Sequence, residues 1–337
     1  MYTPIRNALF KLDPELAHEL SLDLLGAAER LRLLPLFKPA FSPSPRTVMG
    51  LKFDNAVGLA AGLDKNGDYF NALGGLGFGF VEIGTVTPKP QEGNPRPRLF
   101  RVPEHKAIIN RMGFNNKGID YLVAQVKRRR FTGVLGINIG KNKLTPESEA
   151  LDDYRYCLER AYPLADYITI NISSPNTPGL RALQHGSALD NLMSGIRQCR
   201  EQLQQRFDKY VPIAVKIAPD NDGDTLRVIV DTLIKHDMDA VIATNTTVDH
   251  DAIAGHALSA EAGGLSGKPL LERSTEIVRI LKRHVGEALP IIAVGGIFDG
   301  ESARQKIEAG ASLVQVYSGF IYRGPSLIGE IARATQK

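Results

Sequence analysis

Cysteine is nearly absent from this chain, with two in 337 residues, Cys157 and Cys199. Neither their number nor their spacing makes a metal site or a disulfide framework, which points to a reducing compartment. Long apolar runs are missing too. No stretch approaches the roughly 18 residues that a membrane-spanning helix needs, and the N-terminus lacks the apolar core of a secretory signal. One sign of charge is not in excess either: 41 Lys and Arg against 37 Asp and Glu leave a net +4. That is too little for a dedicated nucleic-acid surface, so no nucleic-acid partner is expected, although a local basic patch could still attract an anion. His, Cys and carboxylates do not cluster at strand ends, so no metal is expected, and the seven histidines read as surface or packing residues. No G-x-G-x-x-G occurs. Gly263-Gly264-Leu265-Ser266-Gly267-Lys268 is not a triphosphate loop, because Ala262 stands where the first glycine should be and Pro269 follows the lysine.

What the chain does have is glycine, 32 residues of it, often directly after apolar runs. Eight such runs read as strands: Ala56–Ala60, Phe80–Gly84, Val134–Ile139, Tyr167–Ile172, Ile213–Ile217, Ala240–Thr244, Ile291–Val294 and Leu313–Tyr317. Helical patterns at Ile119–Arg129, Tyr154–Tyr162, Leu189–Phe207, Leu226–His236, Ser274–Val285 and Ser302–Glu308 separate most of them. This alternation predicts an α/β fold, a (β/α)8 TIM barrel, over residues 47–337. A proline-rich excursion, Thr87–Asn116, interrupts it after the second strand and reads as an irregular or hairpin-like insertion.

Residues 1–46 read as a separate helical extension and linker. Asp13-Pro14-Glu15 is an N-cap, a first-turn proline and a first-turn acid. Leu16, Leu20, Leu24, Ala27 and Leu31 then recur at helical spacing, and Pro35, Pro39, Pro43 and Pro45 end the helical region. The apolar face of residues 4–37 either caps the main domain or is offered to a membrane surface or an apolar ligand. The charges there nearly balance, so apolar burial rather than polybasic attraction would hold it to lipid.

Polar residues gather at the expected strand ends, where a barrel builds its site. The first strand runs into Ala60-Ala61-Gly62-Leu63-Asp64-Lys65, the second ends at Thr85 and the third at Asn138. The fourth delivers Asn171-Ile172-Ser173-Ser174-Pro175-Asn176-Thr177-Pro178-Gly179. Lys216 lies inside the apolar fifth run, which is costly unless the lysine has a task. Thr244, Asn245 and Thr246 end the sixth, Gly295-Gly296 the seventh and Tyr317-Ser318-Gly319 the eighth. Amide side chains at several strand ends suit a flat, polar, imide-like ring. Glycine turns after the last two strands suit a phosphate. The implied cofactor carries one phosphate and a flat polar ring.

Those motifs, with Asn110-Arg111-Met112-Gly113-Phe114-Asn115, Ala243-Thr244-Asn245-Thr246, Val294-Gly295-Gly296-Ile297 and Val316-Tyr317-Ser318-Gly319, resemble the dihydroorotate dehydrogenase family from about residue 47 onward. The helical extension resembles the quinone-dependent, membrane-associated class 2 branch, and Ser174 fits because class 1 enzymes carry cysteine there. The resemblance implies oxidation of (S)-dihydroorotate to orotate with FMN, one per chain, and a membrane quinone as second substrate, in UMP biosynthesis. It implies Ser174 as catalytic base. It implies a substrate site of Lys65, Asn110, Arg111, Met112, Gly113, Phe114, Asn171, Asn176, Asn245 and Thr246. The implied FMN site is Ala61, Gly62, Leu63, Asp64, Lys65, Thr85, Asn138, Asn171, Lys216, Thr244, Gly267, Gly296, Tyr317 and Ser318. Thr177, or the backbone near Phe114, would orient Ser174 and relay its proton. Peripheral attachment to the cytoplasmic side of a bacterial inner membrane is expected, because no transit peptide is evident. Rival readings are an aldolase or isomerase using Lys216 as a Schiff base, a flavin reductase of tRNA uridine, and a membrane-binding scaffold with a vestigial barrel.

Overall fold

The computed structural model describes residues 2–336, so the outermost ends of the two expected segments, Met1 and Lys337, lie outside the described residues. Helices α1 (Tyr2–Leu9) and α2 (Pro14–Arg30) come first. The Asp13 side chain accepts the N–H groups of Glu15 and Leu16 at 2.9 and 3.0 Å, closing the helix start that the sequence predicts. A hairpin of β1 (Arg46–Val48) and β2 (Leu51–Phe53) follows, then β3 (Val57–Leu59), α3 (Phe70–Gly74) and β4 (Phe80–Val86). The insertion holds β5 (Leu99–Val102) and β6 (Ala107–Asn110). Next come α4 (Ile119–Val126), β7 (Val134–Ile139), α5 (Ala150–Ala161), β8 (Tyr167–Asn171), α6 (Gly186–Phe207), β9 (Ile213–Ile217), α7 (Gly223–Lys235) and β10 (Ala240–Ala243). The remainder is β11 (Gly264–Gly267), α8 (Leu271–Val285), β12 (Ile291–Val294), α9 (Gly300–Glu308), β13 (Leu313–Val316), α10 (Ser318–Arg323) and α11 (Ser326–Ala334).

Strands β3, β4, β7, β8, β9, β10, β12 and β13 close in that order into a parallel barrel. These are the eight predicted strands, with slightly shifted ends. Most of the predicted helices begin up to a turn earlier than their apolar periodicity, because their first turns are polar. Asp222 and Asp299, for example, cap α7 and α9 through the N–H groups of Thr225 and Ser302. Elements absent from the prediction are β1–β2, the short α3, β11 and the two C-terminal helices. The insertion is a true hairpin, and β11 joins β6 to make a three-stranded antiparallel sheet.

Two apolar layers explain why the barrel strands read as continuous apolar runs: one face of each strand fills the barrel and the other meets the helices. The inner layer includes Phe53, Phe80, Tyr167, Ile242, Ile292 and Leu313. It leaves no room for side chains at some neighbouring positions. A Cβ on Gly136 would fall 2.2 Å from the Tyr167 ring.

The helical pair follows another rule. Leu16, Leu20, Leu24 and Leu31 are 52, 39, 57 and 70% exposed, so this stripe does not cap the barrel. On α2 the buried residues are Glu15, Ala17, Leu22 and Gly26. Glu15 turns inward to pair with the buried Arg98 of the insertion at 2.7 Å. Burial alone would raise its carboxyl, but the hydrogen bonds and charge of Arg98 hold it below the ordinary range.

Candidate active site

At the C-terminal ends of the barrel strands, about 1020 Å³ of free space lies beneath the β5–β6–β11 sheet and the loops around it. Its polar frame begins below the cavity, on a carboxylate that sequence reasoning missed. Glu82 on β4 is fully buried and accepts from Asn138 Nδ2 (2.7 Å), the Tyr167 hydroxyl (2.8 Å) and Gln315 Nε2 (2.8 Å). A carboxylate can only accept, so it fixes which way both amides point. The turned Asn138 presents Oδ1 to the Thr85 hydroxyl at 2.6 Å, and Thr85 Oγ1 accepts from Asn171 Nδ2 at 2.9 Å. Asn171 Oδ1 then receives Ser173 Oγ (3.0 Å), which accepts from Asn245 Nδ2 (2.9 Å). One chain of hydrogen bonds thus orients the polar groups of β4, β7, β8 and the end of β10. Asn138 stands behind Thr85 rather than on the cavity wall.

Two lysines reach the wall. The ammonium groups of Lys65 and Lys216 make no hydrogen bond or ion pair with the described residues, although the Lys216 backbone pairs in the barrel. Burial pushes the Lys65 ammonium down to about 8, with Glu15 opposing. Burial also lowers that of Lys216, opposed by Glu82. Asn110 and Asn176 meet across the mouth, Asn176 Nδ2 donating to Asn110 O at 3.1 Å. Ser174 is 5% exposed, and among the described residues its Oγ accepts only the Asn176 N–H, at 3.2 Å. The Thr177 hydroxyl is buried with no hydrogen-bond partner among the described residues. The Phe114 carbonyl, by contrast, already accepts from Gln91 Nε2 (3.2 Å) and Asn116 Nδ2 (2.7 Å).

The other end of the cavity is framed by backbone. Gly267 stands just before α8, Gly295-Gly296 follow β12, and Ser318-Gly319 begin α10. Gly296 has φ +75°, and a Cβ there would fall 2.3 Å from Leu271 Cα, so the turn presses directly on the start of α8. Ser266 and Ser318 hydroxyls meet at 2.8 Å on this wall.

Of the residues expected in the site, Leu63, Asp64, Asn138 and Arg111 are off the wall and the others line it. The Asp64 carboxylate, pushed up to about 6 by burial, is turned to the N–H groups of Asp68 (3.0 Å) and Tyr69 (2.8 Å) and shapes the Lys65 loop. Arg111 points outward to Glu261 at 2.6 Å. Gln315, Ser266, Leu270 and Phe298 line the cavity without having been expected there.

A second cavity, of about 1380 Å³, opens between α1, α2 and the barrel. Leu9, Leu22, Leu25 and Phe320 are typical of its lining, and His18 and Arg101 are among its few polar side chains. His18 is half-buried on this wall, and burial pushes its imidazole down to about 3. Leu63 faces this cavity, and Tyr317 lines both.

The family model for dihydroorotate dehydrogenase matches residues 45–337. A protein of Saccharophagus degradans named dihydroorotate dehydrogenase (quinone) is 64% identical over 334 residues, 99% of this chain and 98% of its own. One of the same name from Cellvibrio japonicus is 61% identical over 332 residues, 98% of this chain and 97% of its own. The crystal structure of Eimeria tenella DHODH in complex with ferulenol superposes with a TM-score of 0.87 at 38% identity, covering 96% of this chain and 90% of that one.

Proposed function

The chain belongs to the dihydroorotate dehydrogenase family, and on that premise we infer that it oxidises (S)-dihydroorotate to orotate and passes the electrons to a quinone, in pyrimidine biosynthesis. One observation carries the reading down to the residues: Lys65 and Lys216 face one cavity, and neither has an acceptor of the protein's own among the described residues. A buried ammonium left so is costly. The substrate carboxylate relieves the first, and the electron-rich N1–O2 edge of a flavin relieves the second.

The residues fit FMN. Backbone at Gly267, Gly296, Tyr317 and Ser318 suits its phosphate. Ala61, Gly62, Thr85, Asn171, Lys216 and Thr244 suit the ring, with Asn138 acting through Thr85 and with Leu63 and Asp64 shaping the loop beside it. Gln315 keeps a buried Oε1 without a donor, which a flavin ring N–H satisfies. The chemistry FMN supplies when bound is acceptance of the C6 hydride and onward transfer of the electrons.

Asn110, Asn171, Asn176, Asn245 and Thr246 offer amide and hydroxyl partners to the pyrimidine edges, and Met112, Gly113 and Phe114 cover it. Arg111 holds that cover from outside. Ser174 takes the C5 proton. Its hydroxyl is a weak base, so desolvation and an onward acceptor matter. The unpartnered Thr177 hydroxyl suits that acceptor better than the Phe114 carbonyl, which is already doubly engaged.

The quinone belongs in the apolar cavity, where His18 and Arg101 offer polar contacts to its carbonyls and Tyr317 separates it from the flavin site. No described helix is long and apolar enough to cross a membrane. Residues 1–46 are then the quinone-access segment, its exposed leucines lying on the cytoplasmic surface of a bacterial inner membrane, and residues 47–337 the catalytic domain. Anaerobic rapid mixing of purified protein with dihydroorotate should bleach the flavin absorbance, and ubiquinone should restore it. Bleaching without recovery would remove the quinone assignment. No flavin spectrum at all would return Lys216 to the Schiff-base reading.

A further inference from the structure

Lys306 is a buried charge for which the site as described has no use. It lies in the last turn of α9 at 0% exposure and pairs with no described carboxylate. Its Nζ donates to the Leu271 carbonyl at 3.2 Å and to Ser274 Oγ, both in the opening turns of α8. The Ser274 hydroxyl donates most closely to the Leu270 carbonyl, at 2.7 Å, and also lies 3.1 Å from the Gly295 carbonyl. The ammonium is thereby tied to two of the segments that frame the glycine-lined end of the cavity, the start of α8 and the turn after β12. Burial, helped by the nearby cation Arg279, pushes it down to about 7, so its charged form is held only at a cost. An unneutralised buried cation is expensive. An anion on the far side of those two segments would offset that cost.

We propose that Lys306 is the buried counter-charge of the phosphate end, and that through the first turns of α8 and the Gly295-Gly296 turn it makes the site select FMN over riboflavin. The proposal rests on the phosphate placement given under the proposed function. Lys306 touches neither flavin nor substrate; it is a positioning residue whose field is little screened because water is excluded around it. A purely structural brace between α8 and α9 would stabilise the fold without distinguishing a phosphorylated flavin from an unphosphorylated one.

The test is an exchange equilibrium. Holoprotein is incubated with known mixtures of FMN and riboflavin, and the flavin released on denaturation is separated and quantified. The wild type should strongly prefer FMN. Both Lys306→Met and Lys306→Gln should reduce the FMN-to-riboflavin affinity ratio about tenfold, equivalent to about 1.4 kcal/mol. Gln keeps hydrogen-bonding capacity and loses only the charge, and it also serves should the Met variant misfold. An unchanged ratio in both variants overturns the proposal and leaves a brace. An unchanged ratio in Lys306→Gln alone overturns it too, since hydrogen bonding would then suffice. A wild type indifferent to the phosphate would instead sink the phosphate placement itself.

Discussion

In the barrel, every residue of β7, β8 and β9 is buried, whereas α1 buries none of its eight residues and α2 leaves Leu16, Leu24 and others in the open. Both regions are rich in apolar side chains, yet they use them oppositely. The barrel closes on itself, so each strand has apolar neighbours on both faces, and polar side chains gather at the strand ends, with Glu82, Lys216 and Gln315 the inward-facing exceptions. The helical pair rests on the barrel through Leu22, Leu25, a buried ion pair and the walls of an apolar cavity, while Leu16, Leu20, Leu24 and Leu31 remain unmatched. An apolar face left unmatched beside an apolar cavity is what a ligand that lives in lipid requires. On the proposed reading, the difference separates two chemistries: polar proton and hydride transfer in the barrel mouth, and apolar electron-acceptor access beside it. The two regions share the Tyr317 wall and the Leu63–Lys65 turn, and they also meet at Glu15–Arg98, at Asp23–Tyr69 and where Tyr2 donates to the Ile321 carbonyl.

The largest effect expected from breaking this division lies on the barrel side. Ser174→Ala should lower the rate of flavin reduction by dihydroorotate by about 10²–10⁴-fold, the usual worth of a positioned base. Flavin content, orotate affinity and sedimentation with vesicles should stay as in the wild type. Near-normal flavin reduction would take the proton from Ser174 and give it to another group in the mouth.

A smaller effect lies on the other side. Leu16→Ser combined with Leu24→Ser removes two exposed apolar side chains without touching the barrel. Burying a leucine is worth up to about 1.5–3 kcal/mol, and a surface insertion realises part of that. Partition of the double variant into vesicles should therefore fall about 10–100-fold, while flavin reduction by dihydroorotate is unchanged. Unaltered partition would show that another surface meets the lipid. Slower flavin reduction would show that the two regions are less separate than their packing suggests.

How much of this was legible in the sequence follows from the same contrast. The barrel strands were readable because burial on both faces writes an uninterrupted apolar run, and the strand-end residues because polarity breaks that run abruptly. Helix α2 was readable in spacing but not in orientation. Periodicity says that Leu16, Leu20 and Leu24 share a face; only the tertiary partner, Arg98 pulling Glu15 inward, decides which face turns out. Glu82 and Gln315 were missed although a signal existed, since each interrupts a buried strand just as Lys216 does. The strand Gly264–Gly267 carries no local β signal, because tertiary pairing with β6 on one side and with Thr247 on the other makes it a strand. Lys306 looks like any solvent-facing helix lysine until α8 is packed against it.

The smallest effect, and the one that probes the seam directly, is titration of Lys65. In the ligand-free protein its ammonium is charged below about 8 and neutral above. Orotate held through its carboxylate should bind with constant affinity up to that pH and then weaken, approaching tenfold by a unit above it. The spectral shift of the bound flavin during orotate titrations reads this directly. Lys65→Met should bind weakly and without the pH step. Stability of the ligand-free protein moves the opposite way: the unfolded chain holds this proton up to 10.5, so the fold gains as pH rises from about 8 toward 10.5. Glu15 of α2 is the carboxylate that most raises this group, so Glu15→Gln should move the orotate step to lower pH. A step that stays in place would mean that Glu15 of the helical pair holds no electrostatic control over the substrate pocket.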